Sequence, residues 1–269
     1  FGWSIAFFQY QPGSMLSADT FVGLKYFQQF FTDTIDMWRV IKNTLIFACL
    51  NLLITPLPVV FAIMLNEVRH RSYAKFVQSI TTFPNFISWV IVYSLAFSLF
   101  STDGVINTIL MNLGIIDRAT NVLSDADAVY WFQMCLNIWK SLGWNSIVYL
   151  AAISGISQEL YEAAAVDGAG RFRQILHITV PGNAETFVVL LLLSIGNFFS
   201  VGFDQYFIFQ NPVTLKNLEV LDLYVYRLGL VNQSYSYSTA IGMVKSVISL
   251  VMIFGANQLA KKIRGSAII

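Results

Sequence analysis

Charged side chains are scarce in this chain: Asp, Glu, Lys and Arg make up 12% of 269 residues, where a soluble domain carries about 25%. Apolar residues reach 56% and the mean hydropathy is +0.63, so burying this surface needs lipid. A net charge of +1 gives no electrostatic case for nucleic acid, and no block of like charges forms a tail. Cysteine is nearly absent. Cys49 and Cys135 lie inside apolar runs, where they support neither a disulfide framework nor a redox compartment and read as small hydrophobes. His70 and His177 stand alone in polar segments, which leaves a histidine metal site unsupported. The chain has no Gly-Lys pair, which a phosphate-cradling Walker A loop requires, and no Gly-x-Ser-x-Gly elbow. No Asp or Glu falls deep in an apolar run, which argues against proton coupling. The expectation is an all-α, polytopic membrane protein without metal or catalytic site, a single transmembrane domain over 1–269.

Six spans are expected, the first incomplete. Phe1 to Tyr10 is apolar but covers about half a bilayer at about 1.5 Å per residue. It reads as the outer end of a helix begun earlier; a cleaved signal peptide is the rival, though no basic stretch precedes the apolar run. Phe21 to Phe31 is aromatic-rich and too short to span, and suits a helix lying at the interface, with Asp33 and Asp36 in water. Complete spans are expected near 43–65, 76–100, 129–153, 185–203 and 239–259. Pro56 and Pro58 should kink the first of these, and the second again contains a proline, Pro84.

Basic residues orient the chain. Arg69, Arg71 and Lys75, then Arg171 and Arg173, then Lys261, Lys262 and Arg264 fall in alternate segments. The opposite segments hold Asp19, Asp103, Asp117, Asp125, Asp127, Asp204, Glu219 and Asp222 and are net acidic. Both termini are therefore expected in the cytoplasm. The long polar interruptions, about 101–128 and 204–238, face outside and are long enough to form a surface.

Between two apolar runs lies a polar island, Ser157 to Pro181, SQELYEAAAVDGAGRFRQILHITVP. Ser157 suits an N-cap and Glu159 the positive end of a first short helix. Tyr161 to Val166 continue it, and Asp167-Gly168 ends it, because glycine tolerates a left-handed terminus. Beyond the turn Phe172, Ile175 and Leu176 share one helical face with nothing of their own to bury. Small residues from Ala163 to Gly170 would admit another backbone closely, so the island reads as a dock for a separate protein. An ordinary loop helix, its alanines reflecting propensity, is the plain alternative.

The order Glu162-Ala163-Ala164, Asp167-Gly168-Ala169, then Arg171, Phe172, Ile178 and Pro181, resembles the EAA coupling loop of permease subunits of type I ABC importers. The segments FGWSIAFFQYQPG, FVGLKYF, PNFISWVIVYS and FDQYFIFQNP resemble the polysaccharide and oligosaccharide branch of the carbohydrate importers. The resemblance implies a multi-pass subunit of a bacterial inner membrane that works by alternating access. It implies a second homologous permease, two cytoplasmic ATPase subunits holding ATP and Mg, an extracytoplasmic solute-binding protein and a carbohydrate substrate, with no cofactor on this chain. Glu162 would hold the loop's hydrogen bonds, Gly168 the turn, and Phe172 would fill the ATPase groove.

Polar residues inside the spans are candidates for the pathway: Lys140, Trp144, Asn145 and Tyr149 in the fourth, Asn197 in the fifth and Lys245 in the sixth. A lysine in hydrocarbon costs about 2.5–3.5 kcal/mol on insertion scales. The two lysines should thus line a cavity, pair with a carboxylate of another subunit, or snorkel to an interface; Asn145 and Asn197 also suit helix packing. An ion-coupled secondary transporter and an importer of a non-sugar solute are the remaining functional alternatives.

Overall fold

The computed structural model describes residues 2–13, 15–32 and 34–264, so Phe1 and Asp33 lie outside the described residues, as do the side chains of Lys262 and Arg264. The fold is all-α. Its α-helices are α1 Lys25–Thr32, α2 Thr34–Ile54, α3 Leu57–Asn66, α4 Arg71–Thr82, α5 Trp89–Phe100, α6 Val105–Asn112 and α7 Val129–Ser154. They continue as α8 Gln158–Val166, α9 Arg171–Gln174, α10 Val180–Gly196, α11 Phe203–Phe209, α12 Leu215–Leu218, α13 Leu221–Tyr226 and α14 Tyr235–Arg264.

Among the described residues four helical stretches are long and apolar enough to cross a membrane: Asp36–Asn66, Trp89–Asn112, Arg171–Gly196 and Tyr235–Gln258. The 26-residue α7 has the length but carries Gln133, Asn137, Lys140, Ser141, Asn145 and Ser146, which dilute its hydropathy. Gly2–Phe7 forms a six-residue 3-10 helix, after which Phe8 bridges to Phe21. The expected interface helix begins at Lys25, because Gly23 sits at φ +58° and breaks any earlier start.

Proline positions the breaks. The expected kink in the first complete span lies at Thr55–Pro56, between α2 and α3, where the Thr55 hydroxyl donates to the Leu52 carbonyl at 2.8 Å. The expected span over 76–100 is instead α4, a 3-10 turn at Phe83–Phe86 and a fresh helix from Trp89. Pro84 brings no N–H to the helix ladder, and after the 3-10 turn the backbone becomes extended at Ile87, with φ −79° and ψ 133°. The expected span over 185–203 is displaced the other way. It starts at Arg171 and stops at Gly196, because a π-turn at Ile175–Thr179 carries the helix through Pro181. A wider turn just ahead of a proline relieves the clash of its ring with the preceding carbonyls.

Two compact units divide the chain, one comprising Phe1–Cys49, Trp89–Tyr130 and Ile195–Ala256, the other Leu50–Ser88, Trp131–Ser194 and Asn257–Ile269. The first has a core of Met37, Val40, Leu221, Tyr224, Tyr237 and Ile241. Around it the polar segment 204–238 folds back on α2. Glu219, 1% exposed, takes Arg39 Nη2 at 3.0 Å and Arg227 Nη2 at 2.8 Å on its two oxygens. Asn43 Nδ2 donates to the carbonyls of Lys216 and Glu219, and its Oδ1 accepts from Tyr130 Oη at 2.9 Å. Asp222 pairs with Lys245. Glu219 and Asp222 were expected among acids of an outward-facing segment; both are spent on ion pairs inside this chain. Asn211 and Asn217 donate to the carbonyls of Leu123 and Ala126 at 2.8 and 2.7 Å, tying the two long polar interruptions to each other. Tyr206 packs on Phe47 with ring centres 4.4 Å apart, and burial raises its phenol above the ordinary value.

The second unit is built on Ala62, Tyr149 and Ile153, with Val59, Ile63, Leu150, Phe187 and Leu190 against them. Gly143 lets α7 meet α4 backbone to backbone, since a Cβ there would overlap the Thr81 carbonyl. Three residues earlier Lys140 Nζ donates to the carbonyls of Pro84, Asn85 and Ile87 at 3.1, 2.9 and 2.5 Å. The ammonium thus satisfies the backbone freed by the proline break.

Glu219→Gln should lower the unfolding free energy of the solubilised protein by about 2–4 kcal/mol, under the ~3–5 of a fully buried pair because both guanidiniums are partly in solvent. Chemical denaturation followed by tryptophan fluorescence reads it. Lys140→Met should cost about 1–3 kcal/mol in the same assay, by leaving carbonyls without a donor.

Candidate functional site

The polar island forms the two-helix knuckle that its residues dictate. The Ser157 hydroxyl accepts from the Glu159 N–H at 3.3 Å and opens α8. The helix ends in paired backbone bonds, Ala169 N–H to the Ala164 carbonyl at 2.8 Å and Gly168 N–H to that of Ala165 at 3.1 Å. That pattern needs a left-handed residue between its arms, and Gly168 supplies it at φ +73°. A Cβ on Gly168 would meet nothing within 4 Å, so conformation and not space demands glycine. The Asp167 N–H closes on the Ala163 carbonyl at 3.0 Å, and Gln174 Nε2 donates to the Ala169 carbonyl at 3.0 Å across the turn.

Neither α8 nor α9 has a buried residue. Val166 is 89% exposed, Phe172 73%, Leu160 54% and Leu176 47%, which on a short polar knuckle is an apolar patch without cover. Arg171, Arg173, Glu162 and Pro181 are exposed as well. Glu162 departs from its expected part. Among the described residues its carboxylate makes no hydrogen bond or ion pair, because it projects from the outer side of α8; backbone groups, Ser157 and Gln174 hold the loop. Composition also hid a hydroxyl pair, Tyr161 Oη with Thr179 Oγ1 at 3.0 Å.

The pathway candidates separate. Asn145 lines a cavity of about 210 Å³ within the second unit, shared with Asn51, Thr55, Pro58, Asn137 and Ser141 among others. Asn137 Nδ2 donates to Asn51 Oδ1 at 2.9 Å in its wall. Lys140 is held by carbonyls, Trp144 packs edge-on against Phe86 at 5.6 Å, and Tyr149 is core. Asn197 and Lys245 belong to the first unit, and Lys245 meets Asp222 of its own chain instead of a carboxylate of another subunit. Asn51, Asn137 and Ser141 went unremarked in the sequence, although Asn137, Ser141 and Asn145 recur every fourth residue and so share one face of α7. The cavity is smaller than the ~300–1,000 Å³ of sites for drug-sized ligands. Its amides and hydroxyls both donate and accept, which suits hydroxyl groups better than ions.

Comparison with known proteins places this arrangement. Residues 23–265 match the profile of the binding-protein-dependent transport system inner membrane component. Protein LplB of Bacillus subtilis (strain 168) is 43% identical over 263 residues, covering 96% of this chain and 81% of the relative. The polygalacturonan/rhamnogalacturonan transport system permease protein YteP of the same organism is 42% identical, with 96% and 80% covered. A chain from the crystal structure of a bacterial alginate ABC transporter, in complex with alginate pentasaccharide-bound periplasmic protein, superposes with a TM-score of 0.89 at 37% identity, over 99% of this chain and 88% of that one. The chain thus belongs to the binding-protein-dependent transport system inner membrane components, the permease subunits of ABC importers.

Proposed function

We propose that this permease carries an oligosaccharide inward as one of two homologous permease subunits. A binding protein delivers the sugar, and two cytoplasmic ATPase subunits holding ATP and Mg drive the cycle. The observation that carries the reading is the bare apolar knuckle, with Phe172 and Val166 offered to solvent beside a glycine turn. An ATPase groove is the partner such a surface fits, and the helix running unbroken from Arg171 to Gly196 would carry its movement into the membrane. Glu162, which makes no hydrogen bond or ion pair among the described residues, is then available to a residue of the ATPase. The basic segments around Arg69, Arg171 and Lys261 support a cytoplasmic knuckle and C-terminal segment, with the interlocked segments 101–128 and 204–238 outside as the dock for the binding protein.

The oligosaccharide assignment rests on the relatives. YteP is named for polygalacturonan and rhamnogalacturonan, and the solved transporter for alginate. The amide- and hydroxyl-lined cavity supports it: Asn51, Asn137, Ser141 and Asn145 are groups that exchange hydrogen bonds with sugar hydroxyls. A cavity of this size would hold one part of a longer chain at a time. The family match supports ATP-driven import over an ion-coupled mechanism.

In proteoliposomes holding the whole importer, Gly168→Val should reduce ATP-driven uptake of labelled oligogalacturonide about ten-fold or more, since a β-branched residue at positive φ costs about 1–3 kcal/mol. The subunit should still insert and copurify with its partner permease; uptake at the wild-type rate would refute the coupling assignment. Asn137→Ala should raise the KM for uptake several-fold with assembly intact, and an unchanged KM would remove the cavity from the pathway.

A further inference from the structure

Tyr161 lies in α8, and Thr179 closes the π-turn of the helix that follows, 18 residues on; their hydroxyls meet at 3.0 Å. Thr179 is completely buried and Tyr161 partly so. Among the described residues no other α8 side chain hydrogen bonds beyond α8 itself, since Gln158, Glu159 and Glu162 all face solvent. Among the described residues the other hydrogen-bonded connection between α8 and the span is the turn at Gly168, braced by backbone bonds and Gln174.

Thr179 is a firm anchor. Its carbonyl accepts from Asn183 Nδ2 at 3.1 Å, Asn183 is itself 1% exposed, and one turn on Gly182 packs closely on the Ile156 side chain. The i to i+5 bond from the Val180 N–H to the Ile175 carbonyl marks the widened turn in which Thr179 sits. The geometry points to Tyr161 and Thr179 as a strut, two positioning residues that make α8 and the Arg171–Gly196 helix move as one body. This inference rests on the proposed docking of an ATPase at the knuckle. Without the strut α8 swings on its glycine turn, and a push delivered there is lost before it reaches the membrane. The docking residues Val166 and Phe172 are untouched by its removal.

The test uses the complete importer, purified with its ATPase subunits and reconstituted, and compares ATP hydrolysis with and without the binding protein in the presence of oligogalacturonide. Tyr161→Phe and Thr179→Val should each cut the stimulation by about five-fold, the factor expected of one net hydrogen bond, while basal hydrolysis and the amount of ATPase recovered stay as in the wild type. Thr179→Ser keeps the hydroxyl and should keep the stimulation. The double variant should lose no more than either single one, because both remove the same contact. Full stimulation in both single variants, or losses that multiply in the double, overturns the strut. So does a parallel fall in recovered complex and in basal hydrolysis, which marks a contact that merely supports folding. Wild-type complex that purifies without ATPase subunits overturns the docking reading and the strut with it, and is told apart because it appears before any substitution is made.

Discussion

A backbone broken inside a membrane leaves carbonyls that hydrocarbon cannot satisfy, so each break must find a donor within the protein. At the Pro56 break the Thr55 hydroxyl turns back to Leu52. At Pro84 a lysine ammonium reaches across from α7 and takes three carbonyls at once. Ahead of Pro181 the ladder of helix bonds widens by one residue, and the helix continues. These are three solutions to one problem, and each fixes a bend in place. The second unit is in this way a set of pinned breaks, well suited to passing a displacement along without absorbing it.

The same constraint governs the ionised groups. Glu219, Arg39, Arg227 and Asp36 form a network in which one almost fully buried carboxylate meets two guanidiniums. Asp222 and Lys245 form a second pair. A lone buried charge is expensive and a paired one far less so, which is why buried Glu219 draws both a near neighbour, Arg227, and the distant Arg39. The result holds the 204–238 segment down on α2 and α14 and turns what reads as a loop into structure. By contrast no ion pair forms within the knuckle among the described residues, and Glu162, Arg171 and Arg173 all stay in solvent. Groups left unpaired at the surface of an otherwise frugal molecule are the ones available to a partner.

Much of the knuckle was legible in the residues, because caps and turns are local. Ser157 begins a helix and Gly168 ends one for reasons contained within a few residues. The pathway was much less so. Lys140 and Tyr149 are polar groups in a span and read as pathway candidates, yet one serves the backbone and the other the core. Nothing in the sequence singles out Asn51 and Asn137, whose amides meet in the wall of the cavity. An amide in a helix has many uses, and which one it takes depends on the helix opposite. The ends of the spans also moved, from 185–203 to 171–196 for the fifth, because hydropathy averages over a window and misses a polar helix that continues into an apolar one.

The residues alone determined the class of protein, the membrane setting, the turn at Gly168 and the kink at Pro56, since solvent preference, proline chemistry and glycine's dihedral freedom act within a few residues. Folding in three dimensions decided which charges are neutralised, which donor each freed carbonyl meets, and that Tyr161 meets Thr179. Those outcomes join positions up to 180 residues apart, and a hydrogen bond or ion pair exists only where packing has already brought its two ends within about 3 Å.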